Sequence, residues 1–195
     1  MSPVVAFLLF IFLVTFVFCI ILIIWAIAKY NTFIKLRNNR ENAFADIDVQ
    51  LKQRHDLIPQ LVATVKGYAA HEQETFTRIT NARSGAMNAR TIDEKIVAEN
   101  QLSSALAGLK VTVEAYPDLK ANTNFMQLQG EISDIENKLS AVRRFFNSAT
   151  REYNTSIEMF PAKLIAGIFG FRREMMFDLG TTERVILDKA PTISF

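Results

Sequence analysis

The 195-residue chain has one cysteine, Cys19, and two histidines, His55 and His71. A lone cysteine excludes a disulfide within the chain and a zinc site built on cysteine pairs. Neither histidine follows a glutamate at the third preceding position, where Lys52 and Tyr68 stand. That rules out the paired Glu-x-x-His motifs with which helical bundles hold two metals. There is no His-Glu-x-x-His for a metalloprotease and no glycine-rich loop ending in Gly-Lys-Ser/Thr for a nucleotide. No cofactor, metal or catalytic residue is therefore assigned. A net charge of +2 is too small for a protein that binds by neutralising phosphates, so no nucleic-acid partner is expected.

Charge is missing altogether from the first 28 residues, and all 22 Lys/Arg and 20 Asp/Glu lie from Lys29 onward. Pro3 to Ala28 is dominated by Phe, Ile, Leu and Val. As a helix it reaches roughly 39 Å, more than the ~30 Å hydrocarbon core of a bilayer. Trp25 and Tyr30 stand at its C-terminal end, where amphipathic rings favour the headgroup region. Ala26-Ile27-Ala28 mimics a signal-peptide cleavage site, but no basic residue precedes the apolar run, which also exceeds the roughly 7–15 residues of a signal sequence. A retained transmembrane anchor over 1–28 is expected. Lys29, Lys35, Arg37 and Arg40 follow it directly, so the positive-inside rule puts the N-terminus outside and the rest in the cytoplasm of a bacterial inner membrane.

Residues 29–160 lack any useful run of strand alternation and carry helical periodicity instead. Phe125, Leu128, Ile132, Ile135, Leu139, Val142, Phe146, Ala149 and Tyr153 recur at alternating spacings of 3 and 4, a repeat of about 3.5 residues. Asn124 with Gln127 reads as the capping box that starts this helix. Leu102, Leu106, Leu109, Val113 and Tyr116 form a second stripe, whose helix is predicted to begin at the capping box Thr91-Ile92-Asp93-Glu94. Pro117-Asp118-Leu119 then connects the two helices. A third stripe, Phe44, Ile47, Leu51, Ile58, Leu61, Val65 and Tyr68, keeps its register across Pro59. Either one helix kinks there, or a second starts near Asp56. Phe76 and Ile79 continue the stripe towards a break at Ser84-Gly85. The expected fold is all-α: a transmembrane helix running into an antiparallel bundle of three to four helices of about 25–35 residues each. No Gly- or Ser-rich linker separates Ala28 from Phe44, which predicts a stiff connection to the membrane.

The residues become recognisable at Ile47-Asp48-Val49-Gln50-Leu51-Lys52, Arg54, Asp56-Leu57-Ile58-Pro59, Leu61-Val62, Val65-Lys66-Gly67-Tyr68 and His71-Glu72. Ala82-Arg83, Tyr116 to Asn122, Glu136-Asn137-Lys138, Arg143-Arg144, Tyr153-Asn154, Phe160-Pro161 and Phe169-Gly170-Phe171 follow in order. Together they closely resemble the LemA family, over roughly Tyr30 to Asp178. Phe44 stands where the family commonly has Trp, Ile135 where it often has Thr, and Phe146 where it often has Tyr. The resemblance implies a membrane helix followed by a helical bundle. It implies no activity, cofactor or catalytic residue.

Candidate interaction residues come from the pattern itself. Arg54 and Glu72 fall in the apolar register of Leu51, Ile58, Val65 and Tyr68. Charges on a seam either pair across a helix or subunit contact, or reach back to water where the phase drifts at Pro59 and Gly67. Gly67 itself implies a close helix approach or a bend. His55-Asp56 and His71-Glu72 read as a cap and an exposed pair, or as pH-sensitive packing.

Residues 161–195 form a separate C-terminal segment after a bundle over 29–160. Leu164, Ile165, Ile168, Phe169 and Phe171 make it apolar yet too short to span, with Lys163, Arg172 and Arg173 at its flanks. It suits packing on the bundle end, a membrane-surface element, or a subunit contact. Thr181 to Phe195 is expected to add a docking helix or strand. Beyond the lipid bilayer the expected partners are further copies of the chain, in a non-enzymatic scaffold. The alternative is an adaptor or regulator of one membrane protein, such as a transporter or a membrane protease.

Overall fold

The computed structural model describes residues 3–177, and every regular element among them is a helix. These are α1 Pro3–Lys66, α2 Gln73–Asn88, α3 Ile92–Glu114, α4 Pro117–Lys120, α5 Thr123–Glu158 and α6 Ala162–Ile168. The expected docking segment Thr181–Phe195 lies outside the described residues. Two compact units divide the chain, with boundaries after Arg40 in α1, after Ser148 in α5 and after Glu174.

α1 runs for 64 residues and passes through Pro59 without ending, so no second helix starts at Asp56. Its N-terminal part is long and apolar enough to cross a membrane, and from Phe7 to Ile24 its large apolar side chains face outward. The helix stops at Lys66, one residue before Gly67. A Cβ on Gly67 would meet only ordinary contact, 3.5 Å from the Thr64 carbonyl. Gly67 therefore marks the bend into α2 and not a close approach. α2 spans 16 residues, shorter than expected, and runs straight through Ser84-Gly85. A glycine there costs about 1 kcal/mol, which burial of Phe76, Ile79 and Ala86 on the same helix outweighs.

The unit formed by residues 41–148 with 175–177 is a helical bundle. All three stripes point inward: Phe44, Ile47, Leu51, Ile58, Leu61 and Val65 of α1 are buried, as are Leu102, Leu109 and Val113 of α3 and Phe125, Ile135, Leu139 and Phe146 of α5. Burying each side chain of this size stabilises by roughly 1.5–3 kcal/mol. Tyr68 is the exception on the first stripe, since it lies beyond the end of α1 and its hydroxyl accepts a bond of 2.9 Å from Asn122 Nδ2.

The Thr91 capping box forms: the Glu94 N–H donates to Thr91 Oγ1, and the Thr91 N–H donates back to Glu94 Oε2, both at 3.2 Å. At α5 the cap is Asn122 instead of Asn124, its Oδ1 accepting from the Phe125 N–H at 2.9 Å. Asn122 wins because the turn after α4 leaves it outside the helix, while Asn124 already has helical backbone. Gln127 bonds Glu131 one turn on. Between α3 and α5 the proline turn is itself the short helix α4, started by Pro117 and anchored by the buried Leu119.

The unit formed by residues 3–40 with 149–174 centres on Phe33, Leu36, Tyr153, Ile157, Ala162, Ile165 and Ala166, with Trp25, Ala26 and Phe171 packed on it. α6 ends in a Schellman motif: the Phe171 N–H reaches the Ala166 carbonyl at 2.9 Å and the Gly170 N–H the Gly167 carbonyl at 3.4 Å. Gly170 takes the left-handed conformation this needs, with φ +73°. The reversal stacks Phe169 and Phe171 edge-on against Tyr30, at 4.8 and 5.6 Å, and Phe171 against Phe33 at 5.2 Å. Asn154 then clamps the backbone of Glu174, accepting from its N–H at 2.8 Å and donating to its carbonyl at 3.0 Å. In the other unit Asn147 treats Phe177 the same way, at 2.9 and 3.0 Å.

Candidate functional site

Arg54 is wholly buried, and its guanidinium joins three helices. Nη2 bonds Glu99 Oε2 on α3, while Nη1 reaches Glu136 Oε1 on α5 at 2.6 Å and Ser103 Oγ on α3 at 3.2 Å. Glu99 is as deeply buried as Arg54, whereas the Glu136 side chain is 38 % exposed. The second Glu99 oxygen lies 2.6 Å from Nε2 of the buried His55. A carboxylate can only accept, so His55 Nε2–H is the donor. Both Glu99 oxygens are thus engaged, which is what a buried carboxylate requires.

The fourth helix joins through the backbone. Pro59 has no N–H, so the carbonyl four residues earlier, that of His55, has no intrahelical partner. Arg83 of α2 donates its Nε to that oxygen at 2.8 Å. One cluster therefore ties α1 to α2, α3 and α5, and the defect introduced by Pro59 becomes an attachment point. Nearby, Lys95 of α3 bonds Asp48 of α1 at 2.5 Å and lies 5.6 Å from the Phe44 ring centre.

The cluster opens on one side to a groove of about 670 Å³ between α3 and α5, with Ser103 and Glu136 at its inner wall and Leu106, Val113, Phe125 and Ile132 along its length. No group of three or more metal-ligating side chains gathers among the described residues. The charges of the cluster hold helices together.

The other candidate residues separate from Arg54. Glu72 is half-buried at the N-cap of α2, where its carbonyl accepts from the Phe76 N–H, and its side chain caps nothing. It falls out of the seam because α1 ends at Lys66. His71 is exposed beside it. The five apolar candidates on α6 and just after it split: Ile165 is buried and Phe171 half-buried, while Leu164, Ile168 and Phe169 are exposed. Glu99 escaped the sequence reading, and Glu136 and Arg83 entered it only as LemA-like residues, not as partners in this cluster. Glu99 lies three residues before Leu102, in the register of the α3 stripe, and Glu136 flanks Ile135 of the α5 stripe. A search for charges within stripes would have found the first. Arg83 carries no local signal, because the carbonyl it serves is 28 residues away.

Comparison with known proteins adds the following. The family model of the LemA family matches residues 43–195. Protein LemA of Metamycoplasma hominis is 28% identical over 164 residues, covering 83% of this chain and 74% of its own length. Magnetosome protein MamQ of Magnetospirillum gryphiswaldense is 22% identical, over 76% of this chain and 64% of its own. Magnetosome protein MamQ 1 of Paramagnetospirillum magneticum gives the same identity and coverage, so this chain spans slightly less than two thirds of either MamQ.

Proposed function

The chain belongs to the LemA family, and on that premise we propose that it is a membrane-anchored scaffold, not an enzyme, which self-associates through its helical bundle and organises other membrane components. The observation that carries this reading is the use made of buried charge. Arg54, His55 and Glu99, the buried side chains best suited to chemistry, bond one another and join helices. α1 supports the anchoring part, since the uncharged stretch and the buried stripe from Phe44 to Val65 belong to one helix with no linker. The name of MamQ places that relative in the magnetosome, a cellular structure and not a reaction. The basic residues after Ala28 support an orientation with the N-terminus outside an inner membrane and the bundle in the cytoplasm.

The test is the mass of the full-length protein in mild detergent, by light scattering corrected for bound detergent. A single large assembly, many times the 22.1 kDa chain, is expected. A monomer or dimer overturns self-association. It would favour the second reading, an adaptor that takes a segment of one membrane protein into the groove between α3 and α5.

A further inference from the structure

α6 is apolar on both of its faces. Ala162, Ile165 and Ala166 are buried against the core of their unit, as a packed helix requires. The opposite face should then be polar in water. Instead Leu164 and Ile168, one turn apart, are 62 and 78 % exposed, and Phe160 just before the helix is 82 % exposed, with Met159 and Phe169 at 59 and 57 %. The position of this face in its unit is informative. The core beneath α6 includes Trp25 and Ala26, and Phe169 packs on Tyr30. These are the residues at which the uncharged part of α1 gives way to Lys29 and Lys35. Lys163, Arg172 and Arg173, all exposed, edge the same element.

We propose that residues 159–169 are a second membrane contact: a short interfacial element that inserts Phe160, Leu164, Ile168 and Phe169 at the headgroup–acyl boundary of the bilayer α1 crosses. Continuity selects lipid over other occupants. The apolar surface of α1 ends where that of α6 begins, and Trp25 and Tyr30 are the residue types that settle at this depth. Basic residues at the edge of an apolar face suit anionic headgroups. Arg173 also pairs with Glu158 at 3.3 Å, and Glu174 with Arg40 at 3.1 Å, so the acidic groups of the segment are matched by bases. The inference rests on α1 spanning the membrane and is independent of self-association.

The experiment is fluorescence quenching of the full chain in vesicles of phosphatidylglycerol and phosphatidylcholine brominated at known acyl depths. Trp25 is the only native tryptophan, so quenching of the unmodified protein reports the span. Leu164→Trp in a Trp25→Phe background reports α6, and Ile168→Trp in the same background repeats the measurement at the most exposed helical position. Circular dichroism verifies that helicity is retained. Bromines near the headgroup end should quench both reporters at least about twofold more than bromines near the chain terminus, with protection from aqueous acrylamide. Quenching by acrylamide and not by lipid, with Trp25 still quenched by lipid, overturns the proposal and leaves the span intact. Shielding from both quenchers also overturns it, since protein then covers this face. Loss of lipid quenching at Trp25 itself would remove its premise.

Discussion

Replacing Arg54 should distinguish its two carboxylate partners by burial. Arg54→Ala leaves Glu99 wholly buried with only His55 beside it. Removing one partner of a buried ion pair costs about 3–5 kcal/mol, because the remaining charge keeps its desolvation penalty. Glu99→Ala should cost about as much, for it leaves the buried guanidinium only Ser103 and the partly exposed Glu136, and takes from the buried His55 its Nε2 partner. Glu136 is different: its side chain is 38 % exposed, so water screens the pair and Glu136→Ala should cost about 1 kcal/mol or less. For a chain of this size each kcal/mol moves the melting temperature by roughly 2–4 °C. Arg54→Ala and Glu99→Ala are therefore expected to melt roughly 6–20 °C lower, and Glu136→Ala roughly 4 °C lower at most. The assay is thermal unfolding of the full chain in mild detergent, followed by circular dichroism. The double variant Arg54→Met/Glu99→Leu should recover most of the loss, since a buried pair exchanged for apolar groups of similar size is often neutral. A Glu136→Ala loss equal to that of Glu99→Ala, or a double variant as unstable as the sum of the singles, would refute the assignment of the cost to burial.

Three further outcomes follow from local geometry. Arg83→Met should destabilise by about 1–3 kcal/mol, by leaving the His55 carbonyl without a donor; in a Pro59→Ala background the restored N–H should shrink that loss, as measured by the same melts. Hydrogen bonds from the Arg90 and Thr91 N–H groups hold the Glu94 carboxyl below its ordinary 4.5. The stabilisation this gives is full above pH 4.5 and is lost as pH falls through the lowered value, so Glu94→Gln should flatten stability against pH in that acid range. Gly170→Ala forces a Cβ into the left-handed region and should cost about 1–2 kcal/mol, visible as a lower melting temperature; no change would mean that the Schellman turn does not need φ +73°.

What was legible in the sequence was whatever repeats. The stripes of α1, α3 and α5 named their buried faces, because a helix displays its core every three or four residues. The Thr91 box was legible because both partners lie within four positions. The passage of α1 through Pro59 was not, since it is secured by Arg83 from another helix. Arg54 stood out as a charge in an apolar register, but its partners on α3 and α5 lie 45 and 82 residues away. Nor could composition decide between Asn122 and Asn124, because either asparagine makes a good cap and the length of the α4 turn chooses. The two faces of α6 were both apolar in sequence, and only packing separates Ile165 from Leu164.

Asn147 and Asn154 grip main chain and not side chain. Each side-chain amide presents the same donor and acceptor as a peptide group, so it reads the polarity and spacing of the segment it holds, and is indifferent to which residues compose it. Evolution is thereby free to rewrite the outward side chains near Glu174 without loosening their backbone. The constraint falls instead on the two asparagines, where even aspartate, lacking the amide donor, would surrender half of each grip.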